Sequence, residues 1–222
     1  MHLVRHPTNL DLYFDILMKM KRVFVKGGVN RLKYTAPALI FALYRLSTQL
    51  SGANSGYLMQ SHEEHKVDDE PYHIKVKVTQ ALIFKNVAEL VELIKSQYPE
   101  LSLRLLLQAA EAINRLPEYR ELEEEAYSFC TDAISIYEQE LSDADVKFQA
   151  INLIVATIFT LGCFGPDNQD ALVSSTVSYC SKLLKKPSQC EALTLAGQLY
   201  YRDYQKQGNK TIDCMKRAIK IA

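Results

Sequence analysis

The sequence predicts an all-α chain: an α-solenoid of HEAT-like antiparallel helix pairs, about nine helices in all. Three observations predict it. Apolar residues keep the helical spacing of three and four through almost every segment. Very short turns part the segments, and short turns force neighbouring helices to run antiparallel. Helix pairs recur about every 40–50 residues without a shared motif, the spacing of HEAT-like repeats. The tetratricopeptide signature is missing, and the chain has no Trp at all. A closed helical bundle is the alternative arrangement.

The first helix is expected from about Asn9 to Lys26 and is stopped by Gly27-Gly28, where a left-handed C-cap fits. The second is expected from Thr35 to about Leu50, with Pro37 in its first turn. The polar stretch "SGANSGYLMQSHEEHKVDDE", Ser51 to Glu70, has two glycines and no sustained period. It is expected to be an exposed loop. A third helix is expected over Pro71 to Ser96. Its start "HIKVKV" alternates like a strand, but "TQALIFKNVAELVELIKS" has the helical period. The fourth spans Pro99 to Asn114. The fifth, Pro117 to Glu140, crowds acidic residues into its first turns, where the helix dipole favours them. Ser142, with Asp145 three residues on, is expected to cap a sixth helix that ends near Gly162. The seventh covers Asp167 to Lys185, the eighth Pro187 to Lys206, and the ninth runs from Asn209 to the end.

Even-numbered helices carry narrow polar stripes. In the fourth, Arg104, Gln108, Glu111 and Arg115 fall four, three and four residues apart, and the rest is apolar or small. Asp145, Gln149 and Asn152 continue this in the sixth, and Glu191, Thr194, Gln198 and Arg202 in the eighth. The fifth and seventh have wider polar faces. A helix exposed along one thin stripe belongs to the inner layer of a two-layer solenoid, and the wider-faced helices form the outside.

Composition narrows the function classes. Of 222 residues, 48% are hydrophobic and 23% charged, with 26 basic against 26 acidic side chains. This is a folding sequence, and its balanced charge gives no nucleic-acid footprint. The five cysteines, 130, 163, 180, 190 and 214, include no C-x-x-C. Neither a disulfide framework nor a zinc knuckle is expected, and a reducing cytosol is the simplest compartment. "MHLVRHPTNLDLYF" lacks the apolar region of a secretory signal. The run "INLIVATIFTLGCF", Ile151 to Phe164, is about six residues short of the roughly 20 that cross a bilayer. A soluble chain is expected.

Candidate chemistry is thin. "HEEH", His62 to His65, resembles a zinc-protease motif, but the second histidine comes at i+3 and Lys66 holds its place. Phosphate-cradling glycine motifs and the nucleophile elbow are absent from the eight glycines. No catalytic residue, cofactor or metal is therefore assigned. The alternative enzyme would assemble its site from remote residues, for instance His62, His65 and His73. "RELEEEAY", Arg120 to Tyr127, is a charge run that reads as a wet helix face. The 13 tyrosines suit core edges and also a partner surface. "CSKLLKKPSQC" reads as a helix corner: Lys182, Lys185 and Lys186 end one helix and oppose its dipole, while Pro187 opens the next. Ser188 with Glu191 can form a capping box, and Cys180 and Cys190 read as small packing residues.

Six segments in series resemble one family. They are "KYTAPALIFALYRL" (Lys33 to Leu46), "KVDDE" (Lys66 to Glu70), "LSLRLLLQAA" (Leu101 to Ala110), "YSFCTDAISIYEQELSD" (Tyr127 to Asp143), "SKLLKKPSQC" (Ser181 to Cys190) and "CMKRAIKIA" (Cys214 to Ala222). Their order and spacing resemble the C-terminal half of the vacuolar protein sorting-associated protein 35 family, the large subunit of retromer. The resemblance covers the chain from about residue 5. It implies a non-catalytic solenoid scaffold in endosomal cargo sorting and retrograde protein transport, cytoplasmic and peripheral on endosomal membranes through indirect association. It also implies that the concave face binds the small subunit, vacuolar protein sorting-associated protein 29, of metallophosphoesterase fold. The stripe residues Arg104, Gln108, Gln149, Asn152, Thr194 and Gln198 are the inferred contacts. Other subunits are expected to bind through regions missing here. The chain stops at "AIKIA" without a C-cap, so 1–222 is expected to be one segment of a longer solenoid. A generic helical-repeat adaptor of another trafficking complex is the alternative.

Overall fold

Asn9 opens the first helix as a cap, its side-chain oxygen accepting from the Leu12 amide at 3.0 Å, which satisfies one otherwise free N–H of the first turn. The computed structural model describes residues 9–60, 77–201 and 207–222, with only the backbone of 53–60. Its helices are α1 Leu10–Lys26, α2 Val29–Gln60, α3 Gln80–Glu92, α4 Pro99–Asn114, α5 Glu123–Gln139, α6 Ala144–Thr160, α7 Pro166–Cys180, α8 Lys186–Gly197 and α9 Gly208–Ile221. Short 3-10 turns, Tyr119–Leu122 and Gln198–Tyr200, precede α5 and follow α8. Among the described residues there is no strand, and the fold is the all-α solenoid of antiparallel pairs that the sequence predicts. No described helix is long and apolar enough to cross a membrane.

Boundaries differ from expectation where packing overrides local signals. α2 begins at Val29 rather than Thr35, because Gly28 takes φ +85° and reverses the chain within two residues. The Gly28 carbonyl then accepts from the Arg31 and Leu32 amides. Leu32, Ala36, Leu39, Leu43 and Leu46 are buried along one face, which draws Pro37 into the helix interior. The expected loop from Ser51 fails in its first part, since α2 continues through Gln60. Ser51 is buried there, accepting from Gln80 Nε2 and donating to Glu118 Oε2, both at 2.8 Å. The rest of that loop and residues 71–76 of the expected third helix lie outside the described residues. α3 starts later, at Gln80, with Thr79 as its N-cap. Its C-terminal residues Leu93–Gln97 form turns instead of helix.

The chain divides into two compact units. The first comprises Met1–Leu93 with Leu116–Glu118. In it α2 packs against α1 and α3. Polar clamps fix their register: Asp11 accepts from the Lys77 and Val78 amides at 2.9 and 3.0 Å. Lys21 donates to Asn86 at 2.7 Å and Glu89 at 2.5 Å, and Lys21 holds the Glu89 carboxyl below its usual range.

The second unit comprises Ile94–Arg115 and Tyr119–Ala222. Here α4 packs on α5 and α8 on α9, while α6 touches both α4 and α8, and α5 touches α7. Even and odd helices thus form two layers, the stacking of HEAT-like pairs. Side chains hold the turns between helices. Asn114 Oδ1 accepts from the Gly162 amide at 2.8 Å. Glu123 Oε1 accepts from the Gly165 amide at 2.7 Å and from Asn168 Nδ2 at 2.8 Å.

Two helical glycines make the packing testable. A Cβ on Gly197 would stand 3.0 Å from Cys214 Cβ, whereas one on Gly52 meets nothing within 4 Å. Gly52→Ala is expected to raise stability by up to about 0.5–1 kcal/mol through helix propensity. Gly197→Leu should lower it by about 1–3 kcal/mol through overpacking. Urea unfolding of the three proteins checks both signs.

Candidate partner-binding surface

The candidate surface is the exposed side of the even layer, α4, α6 and α8. α4 buries Leu103, Leu105, Leu106, Leu107, Ala109 and Ala110, leaving Arg104, Gln108 and Arg115 exposed and Glu111 half-buried. Arg115 reaches back to Glu111 at 3.4 Å. Arg104 and Gln149 meet at a small cleft between α4 and α6, lined also by Glu100, Leu103, Val146 and Leu153. The structure therefore brings together two of the inferred contacts. Gln108 lies one turn further along α4, and Gln198 is exposed in the 3-10 turn after α8.

Asn152 and Thr194 are placed differently. Asn152 is half-buried, and its Oδ1 is buried without a hydrogen-bond partner. Thr194 is half-buried too, and its hydroxyl donates to the Cys190 carbonyl at 2.9 Å. Both sit at the edge of the stripe. The fourth stripe position of α8, Arg202, lies outside the described residues.

The true stripe of α6 runs 145, 149, 153, 156 and 160, so apolar residues take over where polar ones stop. Leu153 is 36% exposed, and Phe159, beside this line, 45%. Leu195 occupies a comparable exposed position on α8. Leu153 and Phe159 are hidden in the sequence because the run Ile151 to Phe164 is uniformly apolar enough to read as buried. The available signal was register: continuing Asp145 and Gln149 by four places the next exposed position on Leu153.

α6 is set by its start. The N-cap is Asp143, not Ser142: its Oδ1 accepts from the Asp145 and Val146 amides, each at 2.9 Å. A carboxylate acceptor at the N-cap outcompetes the neighbouring hydroxyl. Those two amides hold the Asp143 carboxyl below its usual range.

The lysine corner also differs. α7 ends at Cys180, so Lys182 stands in the turn, Lys185 is the N-cap of α8 and Lys186 its first residue. The dipole of α7 is not what holds them. Pro187 sits in the first turn of α8 as expected, but no side chain caps that helix, so Ser188 and Glu191 form no capping box. Instead Lys185 pairs with Asp145 at 2.5 Å, and Lys182 lies 5.1 Å from the Tyr179 ring centroid. Lys182, Lys185 and Tyr179, with Tyr137, Glu138, Lys147, Leu183 and Leu184, line a cleft of about 290 Å³. The Tyr137 and Tyr179 rings meet edge-on at 5.4 Å, and Tyr179 donates to Glu138 at 2.6 Å.

All five cysteines are free, and Cys190 is half-buried rather than buried. Burial pushes the Cys130 and Cys180 thiols up to about 12, each with a further push from a neighbouring cysteine. Among the described residues no group of three His, Cys, Asp or Glu side chains could hold a metal ion. His62, His65 and His73 lie outside the described residues.

Two layers of antiparallel helices with an amide-rich exposed strip define a helical-repeat protein. Comparison with known proteins gives the family. The family model of vacuolar protein sorting-associated protein 35 matches residues 1–222, and the chain belongs to that family. Vacuolar protein sorting-associated protein 35A of Arabidopsis thaliana is 33% identical over 213 residues, covering 94% of this chain and 25% of the relative. Vacuolar protein sorting-associated protein 35 of Schizosaccharomyces pombe is 27% identical over 238 residues, covering 99% and 25%. That of Dictyostelium discoideum is 23% identical over 211 residues, covering 94% and 25%. The chain thus spans about a quarter of the length of these curated relatives.

The cap of α6 gives a pH test. A carboxyl whose folded pKa is lowered stabilises fully above its ordinary value, 3.8 for Asp143, and loses that contribution as pH falls further. Asp143→Asn keeps an acceptor without the titration. Its melting temperature is expected to match the wild type near neutrality and to fall less steeply below about pH 4, as followed by circular dichroism.

Proposed function

We propose that the chain is a non-catalytic scaffold segment of the retromer complex, acting in endosomal cargo sorting and retrograde protein transport. The α4–α6–α8 face is its inner, concave side and binds the small subunit of metallophosphoesterase fold, vacuolar protein sorting-associated protein 29. The chain works in the cytoplasm, peripheral on endosomal membranes, as one segment of a longer solenoid. One observation carries the surface assignment: Leu153, Phe159 and Leu195 stand exposed within a strip of Arg104, Gln108, Gln149 and Gln198. Apolar anchors ringed by polar side chains are the make-up of a protein interface. A standard interface buries roughly 1,600 Å² in total, which several successive helices can supply.

The chain and the small subunit are expected to co-elute from a sizing column at micromolar concentration. Leu153→Asp combined with Phe159→Asp should weaken the complex at least about 30-fold, the loss of a hot spot, with helical content unchanged. Gln149→Ala should change affinity less than about fivefold. Absence of co-elution, or full binding by the double variant, would reject the surface.

A second reading, a helical-repeat adaptor for acidic peptides, is favoured by the lysine–tyrosine cleft at the α7–α8 corner. Three lysines and one carboxylate, Glu138, line it, with Lys185 also paired to Asp145 outside the lining, and Leu184 is 86% exposed at its rim. Fluorescence anisotropy with a labelled peptide of aspartates flanking one leucine measures this. Lys182→Glu with Lys185→Glu should abolish such binding and leave small-subunit co-elution intact.

A further inference from the structure

Formal charge cancels over the whole chain, but not locally. Lys19, Lys21, Arg22, Lys26, Arg31 and Lys33 crowd the end of α1 and the start of α2, and no Asp or Glu occurs between Asp15 and Glu63. On α1, Lys19, Arg22, Val23 and Lys26 fall at i, i+3, i+4 and i+7, and all four are exposed, so they share one face. The two-residue Gly27-Gly28 turn folds α2 back beside it. The Arg31 stem lies 3.5 Å from where a Cβ on Gly27 would stand, so the exposed Arg31 belongs to the same corner. Lys21 is taken by Glu89. Among the described residues, no carboxylate pairs with Lys19, Arg22, Lys26 or Arg31. The nearest acid on this face, Asp15, lies at the far end from the corner.

Apolar side chains are exposed at the same corner, Val23 among the charges of the α1 face. Val23 is 67% and Tyr34 73% exposed, and Val25 is exposed as well. Lys33 lies 4.8 Å from the Tyr34 ring centroid. In a basic surface built for soluble polyanions, a protruding valine, Val23, has no task. A peptide partner would need them to line a groove that desolvates its side chains. At a turn they project outward, where the headgroup layer of a bilayer can receive them, and tyrosine favours that layer. We propose that the α1–α2 corner is a direct contact for an anionic lipid surface. Lys19, Arg22, Lys26 and Arg31 pair with acidic headgroups, while Val23 and Tyr34 enter the interface. Membrane contact is then not wholly indirect, and this inference stands or falls separately from binding of the small subunit.

Flotation with vesicles of phosphatidylcholine alone, and of phosphatidylcholine with phosphatidylserine, tests it on the whole chain. Binding is expected only with phosphatidylserine, and it should decline as salt rises. Arg22→Gln with Lys26→Gln should lower partitioning about 25-fold, about fivefold for each charge removed. Val23→Ser should lower it as well, with circular dichroism unchanged. Absence of flotation at low salt, or flotation indifferent to salt, overturns the proposal using wild-type protein alone. If soluble poly-glutamate displaces the vesicles fully and Val23→Ser and Tyr34→Ser change nothing, the corner serves an acidic protein segment and the lipid assignment is wrong.

Discussion

The confinement of α6 between α4 and α8 is the constraint on which the candidate surface depends. Ile151, Ile154 and Ile158 are fully buried and Val155 nearly so, which leaves a single line of positions for solvent. That line is fixed at both ends. Asp143 sets where the helix begins by holding two first-turn amides. Asn114 and Glu123 set where the chain leaves it, by accepting from the Gly162 and Gly165 amides in the following turn. Successive helical residues are about 100° apart around the axis. A register shift of one residue would carry Gln149 off the exposed line and turn the fully buried Ile154 toward the solvent side. The clamps therefore choose which side chains a partner can meet.

Much of this was legible from residue order. Asn9 and Gly28 mark the ends of α1, Pro99 opens α4, and the spacing of Arg104, Gln108 and Gln149 correctly identified exposed positions. Other features were hidden for physical reasons. "SGANSG" looks like a helix breaker, yet α2 runs through it, and Ser51 there finds Gln80 and Glu118 as partners from distant sequence. Ser142 and Asp143 both satisfy the sequence pattern of a cap, and only the fold decides between adjacent acceptors. Leu153 and Phe159 were missed because an apolar residue at an exposed position is indistinguishable in composition from a core residue. Register separates them, and in so apolar a helix register rests on two polar residues. Asn152 erred the other way: it is polar and adjacent to the line, but its oxygen is turned inward.

The same burial that builds the layers disarms the chemistry they might carry. A thiol is nucleophilic as the thiolate, and Cys130 and Cys180, pushed up to about 12, stay protonated at neutral pH. Tyr137, pushed to about 12 by burial with Cys180 and Tyr179 nearby, does likewise. Nor does a depressed pKa here mark a reactive group. The Asp143 carboxyl is lowered by a capping geometry and the Glu89 carboxyl by a lysine that joins α1 to α3. Both shifts belong to assembly of the fold.

The choice of the even layer as the covered one rests on what desolvation would cost on each side. Exposed positions of the odd layer include Glu121, Glu124 and Glu138, carboxylates whose removal from water costs several kcal/mol apiece unless each is paired. The even stripe offers Gln108, Gln149 and Gln198 instead. An amide that exchanges water for one good hydrogen bond loses little, and it can both donate and accept, so it tolerates small errors of fit. Arg104, Asp145 and Glu191 are charged members of the stripe. Asp145 is already paired with Lys185, and the long apolar stem of Arg104 allows its guanidinium to remain at the rim while the stem is buried. Neutral, two-way hydrogen-bonding groups around Leu153 and Phe159 would let a partner cover the ground between the stripe's charges at lower cost. Covering the odd face would require a matching set of cations, placed to meet each carboxylate.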